Sequence, residues 1–320
     1  MKKILLSFMI SFLFFAFFTP YGAKAAENYE VYANGEKQAR FSTFENAKAF
    51  AEGLKVAYIK HKSGSRWIWD SSKPFETVTP GGSAISFREF YEAANYARGA
   101  DGAHIRYKKN DSVIWRGEIL PDRARVQGVP LIAQRPELPR GCEMTSLAAL
   151  INYNGERADK MKLAEAVAKD DAPLMFKRGK LTWGDPNVGF VGDMYDMSKN
   201  GYGVHHKPVY DILLEYFPRR ALDLTGCLFE DALEFVADGC PVWVITNAAY
   251  DRVPMTEFSC WSSPSGEIRT TFREHSVVIT GYDLENVYFN DPLEAAESAP
   301  FEEFRAAWEQ MGRQALTVTR

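Results

Sequence analysis

Shifting the sequence by 46 residues lays the stretch 41–69 on 87–115 without a gap, and ten of the twenty-nine positions are identical. A repeat of this kind marks one supersecondary unit built twice. The identities are Phe41/Phe87, Phe44/Phe90, Ala47/Ala93, Ala51/Ala97, Gly53/Gly99, Ala57/Ala103, Ile59/Ile105, Lys62/Lys108, Ile68/Ile114 and Trp69/Trp115. In each copy an aromatic and two alanines (Phe44, Ala47 and Ala51; Phe90, Ala93 and Ala97) fall at helical spacing, and a glycine follows where a helix can stop. An alternating run at 57–60 or 103–106 then leads through Ser63-Gly64-Ser65 or Asn110-Asp111 into an Ile-Trp strand. The pattern predicts a helix plus a β-hairpin, twice. Each unit has one apolar face, so the copies are expected to pack together or on the next domain. Trp69 and Trp115 read as core residues, with ligand platforms as the alternative. His61 and His104 lack metal-ligand company and read as solvated hairpin positions.

At 320 residues, 46% of them hydrophobic, the chain has the length of about two globular units and is neither disordered nor collagen-like. Lys plus Arg total 38 against 42 Asp plus Glu, a formal charge of -4, so no overall positive field draws nucleic acid. Residues 1–25 read Met-Lys-Lys, an apolar run from Ile4 to Phe18, and the small-x-small triplet Ala23-Lys24-Ala25. That order predicts a secretory signal peptide cleaved near Ala25, because fifteen largely apolar residues fall short of the roughly 20 that span a bilayer. Cleavage removes Lys2, Lys3 and Lys24 and takes the charge from -4 by 3 to -7. The expectation is a secreted, extracellular protein without a transmembrane anchor. The segment Pro121 to Pro130 reads as the boundary between a repeat region (26–120) and a second domain (121–320).

In the second domain Val129 to Gln134 reads as a short strand, and Met144, Leu147, Ala148 and Ile151 mark one buried face of a helix ending near Asn154-Gly155. Cys142 opens that helix, where unpaired N–H groups and the helix dipole favour a thiolate, with Arg140 as a further cation. Cys227 also opens an amphipathic helix, but Glu230, Asp231 and Glu234 crowd it and would raise its pKa. Gln134, eight residues before Cys142, can place an amide donor beside the sulfur. A thiolate nucleophile needs an imidazole and an orienting partner. His275 begins a buried strand, and a hairpin centred on Asp283 would bring Asp291 opposite it, with Asn290 as the competitor for that role. The 133 residues from Cys142 to His275 match the papain-type order. His205-His206 point to opposite faces of an extended segment, and with neither His-Glu-x-x-His nor paired Cys-x-x-Cys in the chain, no metal or cofactor is expected. The glycines at 184, 189 and 192 form a loop that either borders the cleft or is a structural turn. Among Cys227, Cys240 and Cys260 at most one disulfide can form.

The segment from Val129 to Gly155, "VPLIAQRPELPRGCEMTSLAALINYNG", with "WGDPNVGFVG" (183–192), "GYGVHHKP" (201–208), "GCPVWVIT" (239–246) and "HSVVITGYDLENVYFNDP" (275–292), resembles bacterial papain-like cysteine peptidases related to the bacteriocin-processing peptidases. The likeness covers nearly all of 121–320, and the repeats at 41–115 resemble modules that precede this domain in exported firmicute members. It implies an α+β papain-like fold behind two tandem helix-plus-hairpin repeats, with Cys142 as nucleophile, His275 as base, Asp291 as orienter and Gln134 as oxyanion donor. The spacing from Gln134 to Cys142 is longer than in plant papain. The implied activity is amide hydrolysis on a peptide or a peptidoglycan-linked peptide. Two rivals stand beside it: an acyl transferase or transglutaminase-like enzyme on the same fold, and a catalytically silent module whose repeats bind the cell wall.

Overall fold

Tyr29, Val31 and Ala33 occur at every second position, and the Asn34-Gly35 pair that follows, with φ of 52° and 80°, folds the chain back as a two-residue hairpin. The computed structural model describes residues 28–54, 56–62, 67–177 and 179–320. The expected signal peptide at 1–25 and the turn Ser63-Gly64-Ser65 lie outside the described residues. Two compact units divide the chain, one ending at Asp70 and the other running from Ser71 to Arg320.

In the first unit β1 (Tyr29–Ala33) and β2 (Glu36–Phe41) precede α1 (Phe44–Ala51), and β3 (Tyr58–His61) and β4 (Trp67–Asp70) follow. Thr43 caps α1 by accepting the Asn46 N–H. The strands form one sheet in the order β2-β1-β3-β4, over a core of Val31, Ala47, Ala51, Ala57, Ile59 and Trp69. The second copy is β5 (Phe75–Val78), β6 (Ala84–Phe87), α2 (Phe90–Ala97), β7 (His104–Tyr107) and β8 (Ser112–Trp115), in the same order β6-β5-β7-β8. The hairpin after each helix carries a bulge at the same place, after Ile59 and after Ile105, 46 residues apart. Each sheet therefore holds one strand pair more than the helix-plus-hairpin reading supplies, because the strands before the helix lie outside the identical stretch.

The units part between the two copies, not near Pro121. Phe75, Phe90, Ile105, Tyr107 and Trp115 join one core with Leu222, Phe229, Phe235 and Val277. The Phe90 and Phe235 rings are 5.6 Å apart, Arg98 pairs with Asp231 at 2.7 Å, and the Tyr107 hydroxyl donates to the Ala221 carbonyl at 3.1 Å.

Beyond β9 (Ala124–Arg125) the chain from 126 to 134 is irregular and not the short strand expected at 129–134, and Pro130 has no N–H to give a ladder there. It is held instead by the Gln134 N–H on the Pro292 carbonyl and by Lys160 Nζ on the Ala133 carbonyl. Then come α3 (Cys142–Tyr153), α4 (Lys160–Ala166), β10 (Lys169–Asp170), β11 (Met175–Lys177), β12 (Lys180–Thr182), β13 (Phe190–Val191), α5 (His206–Tyr216), β14 (Ala221–Asp223) and α6 (Phe229–Ala237). The last stretch holds β15 (Val242–Asn247), β16 (Phe258–Ser263), β17 (Gly266–Thr271), β18 (Glu274–Tyr282), β19 (Asn286–Asn290), β20 (Ser298–Pro300), α7 (Phe301–Gln310) and β21 (Ala315–Val318). The main sheet runs β14-β21-β15-β18-β19-β20, with β9 on β18, and a smaller sheet runs β11-β12-β16-β17. Residues 142–151 of α3 are all buried, not on one face alone, because α4, α5 and strands β15 and β18 surround that helix. No helix among the described residues is long and apolar enough to cross a membrane.

Candidate active site

Gly141 ends the approach to α3, and a Cβ there would come within 2.6 Å of the Leu138 side chain, so only glycine lets the loop close over the helix start. Cys142 is the first helical residue and is 6% exposed. Ser146, one turn on, donates to the Ser276 carbonyl at 3.0 Å and ties α3 to β18, which carries His275. Cys142, His275 and Gln134 line one cavity of about 500 Å³, together with Trp183, Tyr202 and Phe272.

His275 Nε2 lies 2.7 Å from Asp291 Oδ1, and both residues are buried. Asp291 Oδ1 also accepts the Leu293 N–H at 2.8 Å, while Oδ2 accepts the Tyr250 hydroxyl at 2.8 Å and the Ala295 N–H at 3.0 Å. Although burial opposes it, the His275 hydrogen bond and charge, with these other donors, hold the Asp291 carboxyl down at about 2. Asn290, the competitor, donates to the Val129 carbonyl instead. The pairing is not the cross-strand one the sequence suggests. His275 sits opposite Thr246 on β15, and a bulge between Ile279 and Gly281 sets Val278 opposite Asn290. Asp291 reaches the imidazole from the turn just after β19.

This geometry coincides with a family likeness. The sequence model of the Peptidase_C39 like family matches residues 126–316. The chain belongs to that family. It is 41% identical over 186 residues to the uncharacterized protein YvpB of Bacillus subtilis (strain 168), covering 58% of this chain and 71% of that one. It also matches the crystal structure of a chain described as a C39-like peptidase from Bacillus anthracis, at 42% identity and a TM-score of 0.59, over 62% of this chain and 98% of that one. The mixed α and β architecture is that of a C39-like peptidase, and the family is one of cysteine-type peptidases.

Within this C39-like frame two expected contacts take another form. Arg140 does not face the sulfur; its guanidinium donates to the carbonyls of Asp193, Asp196, Met197 and Lys199 and fixes the loop that closes one side of the cavity. Gln134 Nε2 donates to the Leu138 and Pro139 carbonyls, both at 3.1 Å, and its Oε1 is buried without a partner. The loop at 183–192 serves both of its expected purposes. Trp183 lines the cavity, and a Cβ on Gly189 would come within 2.6 Å of the Lys169 backbone, so the turn is also structural. His205 bonds Asn187 and Tyr202 while His206 bonds Asp223, so the two imidazoles diverge. Cys227, Cys240 and Cys260 are free thiols, the last exposed.

Three side chains at the site were not assigned roles from the sequence. Tyr250, on the turn after β15 at φ 52°, fixes Asp291 and packs its ring 6.1 Å from that of His275. Glu143 and Glu274 are each adjacent in sequence to an assigned residue, and that adjacency is the only signal they carry. Glu143 Oε2 accepts the Cys142 thiol at 3.4 Å and Oε1 the Val204 N–H at 2.8 Å. Burial first, then the Glu143 and Glu274 charges, pushes the Cys142 thiol well up. The donor atoms of Cys142, Glu143 and Glu274 are mutually within 4.8 Å, but both Glu143 oxygens are engaged by protein donors, and we assign no metal there.

Proposed function

We propose that this chain is an exported cysteine peptidase of the papain-like type that cleaves an amide bond through Cys142, His275 and Asp291. The observation that carries the reading is a buried His275–Asp291 pair at 2.7 Å whose imidazole lines the same cavity as Cys142. With Nε2 taken by Asp291, Nδ1 is the nitrogen left for the thiol proton. In the reaction the proton passes from sulfur to His275 as the C–S bond forms, and the oxyanion rests on the Cys142 N–H at the helix start. His275 then gives its proton to the leaving nitrogen, and the C–N bond breaks. Water, deprotonated by His275, attacks the thioester and returns the sulfur to its resting form. Gln134 joins the oxyanion site if one of its two carbonyl bonds is exchanged for the substrate oxygen. The substrate is a peptide or a peptidoglycan-linked peptide, reached outside the cell after removal of residues 1–25, and the repeats add attachment to the wall.

Intact-mass measurement after incubation with activated acyl donors, such as peptide esters whose alcohol leaves as the thioester forms, tests the acyl-enzyme. The expected adduct maps to Cys142 and is absent in Cys142→Ala; adducts spread evenly over the four thiols contradict it. Release of acylated amine when an amine is supplied would indicate the transferase instead. A wall-sedimenting protein that forms no adduct would indicate the silent binding module.

A further inference from the structure

Cys142 shares its end of the cavity with two carboxyls. The sulfur, one oxygen of Glu143 and one of Glu274 all lie within 4.8 Å of one another. Glu143 is 1% exposed, and Glu274 Oε1 is buried without a hydrogen-bond partner. Gly203 lies against both: a Cβ there would come within 2.6 Å of Glu143 Oε1 and 2.9 Å of Glu274 Oε2, so the glycine permits the two carboxyls to sit together. From α3 the groups facing this space are Cys142 and Glu143, and from β18 Glu274 and His275. Tyr202 and Tyr250 add neutral hydroxyls, and Asp291 stands behind the imidazole. Among the described residues the cavity's arginines and lysines are Arg135, exposed at the rim, Arg140, spent on four carbonyls, and Lys199, paired with Asp193 and Asp196. Three acidic groups packed so closely cannot all be anions.

We propose that Glu143 and Glu274 share a proton beside the Cys142 sulfur, and that these positioning residues make the thiolate conditional on that proton being held. While the pair keeps the proton, one carboxylate at most opposes the sulfur anion. Once it is lost, two do. Burial raises both carboxyls, Glu143 to about 7, and Glu143 further raises Glu274, so the shared proton persists into the neutral range. The inference rests on Cys142 being the nucleophile of the proposed reaction.

The test follows iodoacetamide labelling of Cys142 by mass spectrometry in the full chain, with a chelator present, for the native protein, Glu143→Gln and Glu274→Gln, and with exposed Cys260 as internal reference. Labelling should agree within about twofold at about pH 5, and in a series carried upward through neutral pH both variants should label about tenfold faster once the native pair has lost its proton, since an added charge at this range shifts a thiol by a unit or more. Cys260 should not change. The infrared difference between the native protein and Glu274→Gln at about pH 6 should show the loss of one protonated-carboxyl stretch, over a band that Glu143 and the buried Glu234 keep in both. Superimposed labelling curves, or identical carboxyl bands in the native protein and the variants, overturn the inference, and if one variant fails to fold the other carries both readouts. Labelling needs no hydrolysis: a shift in a chain that cleaves nothing leaves this inference in place and refutes only the peptidase reading, while hydrolysis without a shift does the reverse.

Discussion

At the scale of single residues, the site depends on how many donors converge on one carboxylate. Asp291 accepts from His275, Tyr250 and backbone N–H groups, so its position does not rely on the imidazole alone. Tyr250→Phe keeps the ring against Phe289, at 4.6 Å, and removes only the hydroxyl. A hydrogen bond to a charged group contributes about 1.5–3 kcal/mol, so kcat should fall at least about tenfold with KM within about twofold. Steady-state kinetics on a cleaved peptide decides it; an unchanged kcat would mean that Tyr250 only packs. That His275 and Asp291 would pair, beside a cavity that Cys142 also lines, was legible from residue type and order. The manner of their meeting was not, because the hairpin turns between Tyr282 and Val287 instead of about Asp283, and a bulge in β18 then shifts the register by one residue more. Tyr250 was illegible because its role comes from a turn far along the chain from Asp291, and Glu274 because a carboxyl before a histidine looks like an ordinary solvated strand end.

At the scale of elements, helix periodicity was legible and environment was not. The spacing of Phe44, Ala47 and Ala51 and of Phe90, Ala93 and Ala97 places α1 and α2 correctly. It cannot show that the Phe90 side chain ends in a different setting from Phe44. Phe90 is 1% exposed and packs on Phe235, whereas Phe44 is half-buried at the edge of its own small core. Phe90→Ala should therefore cost about 3–5 kcal/mol in the unit that carries the site. Phe44→Ala should cost distinctly less, since less apolar area leaves water there. Denaturant unfolding followed by the fluorescence of each variant compares them, and equal losses would contradict the separate cores described. The helix start at Cys142 was likewise legible, while the burial of α3 on all sides required knowledge of the strands and helices that enclose it.

At the scale of the whole molecule, the second repeat belongs to the core of the unit that holds the site. A chain starting at Ser71 keeps Phe75, Phe90, Tyr107 and Trp115, and one starting at residue 121 loses all four from a shared core. The shorter chain should melt well below the longer one or fail to fold, by calorimetry; equal melting temperatures would restore Pro121 as the true boundary. The sequence placed that boundary by composition, and composition does not record which faces of two modules become one core. The measurement that bears most directly on the central claim is turnover of an unbiased peptide library by the native protein beside Cys142→Ala and His275→Ala. Cleavage by the native chain, reduced by about 10³-fold or more in both variants, is the predicted result, since removing either partner of a cooperating pair abolishes the function of both. Undiminished cleavage by Cys142→Ala would contradict it.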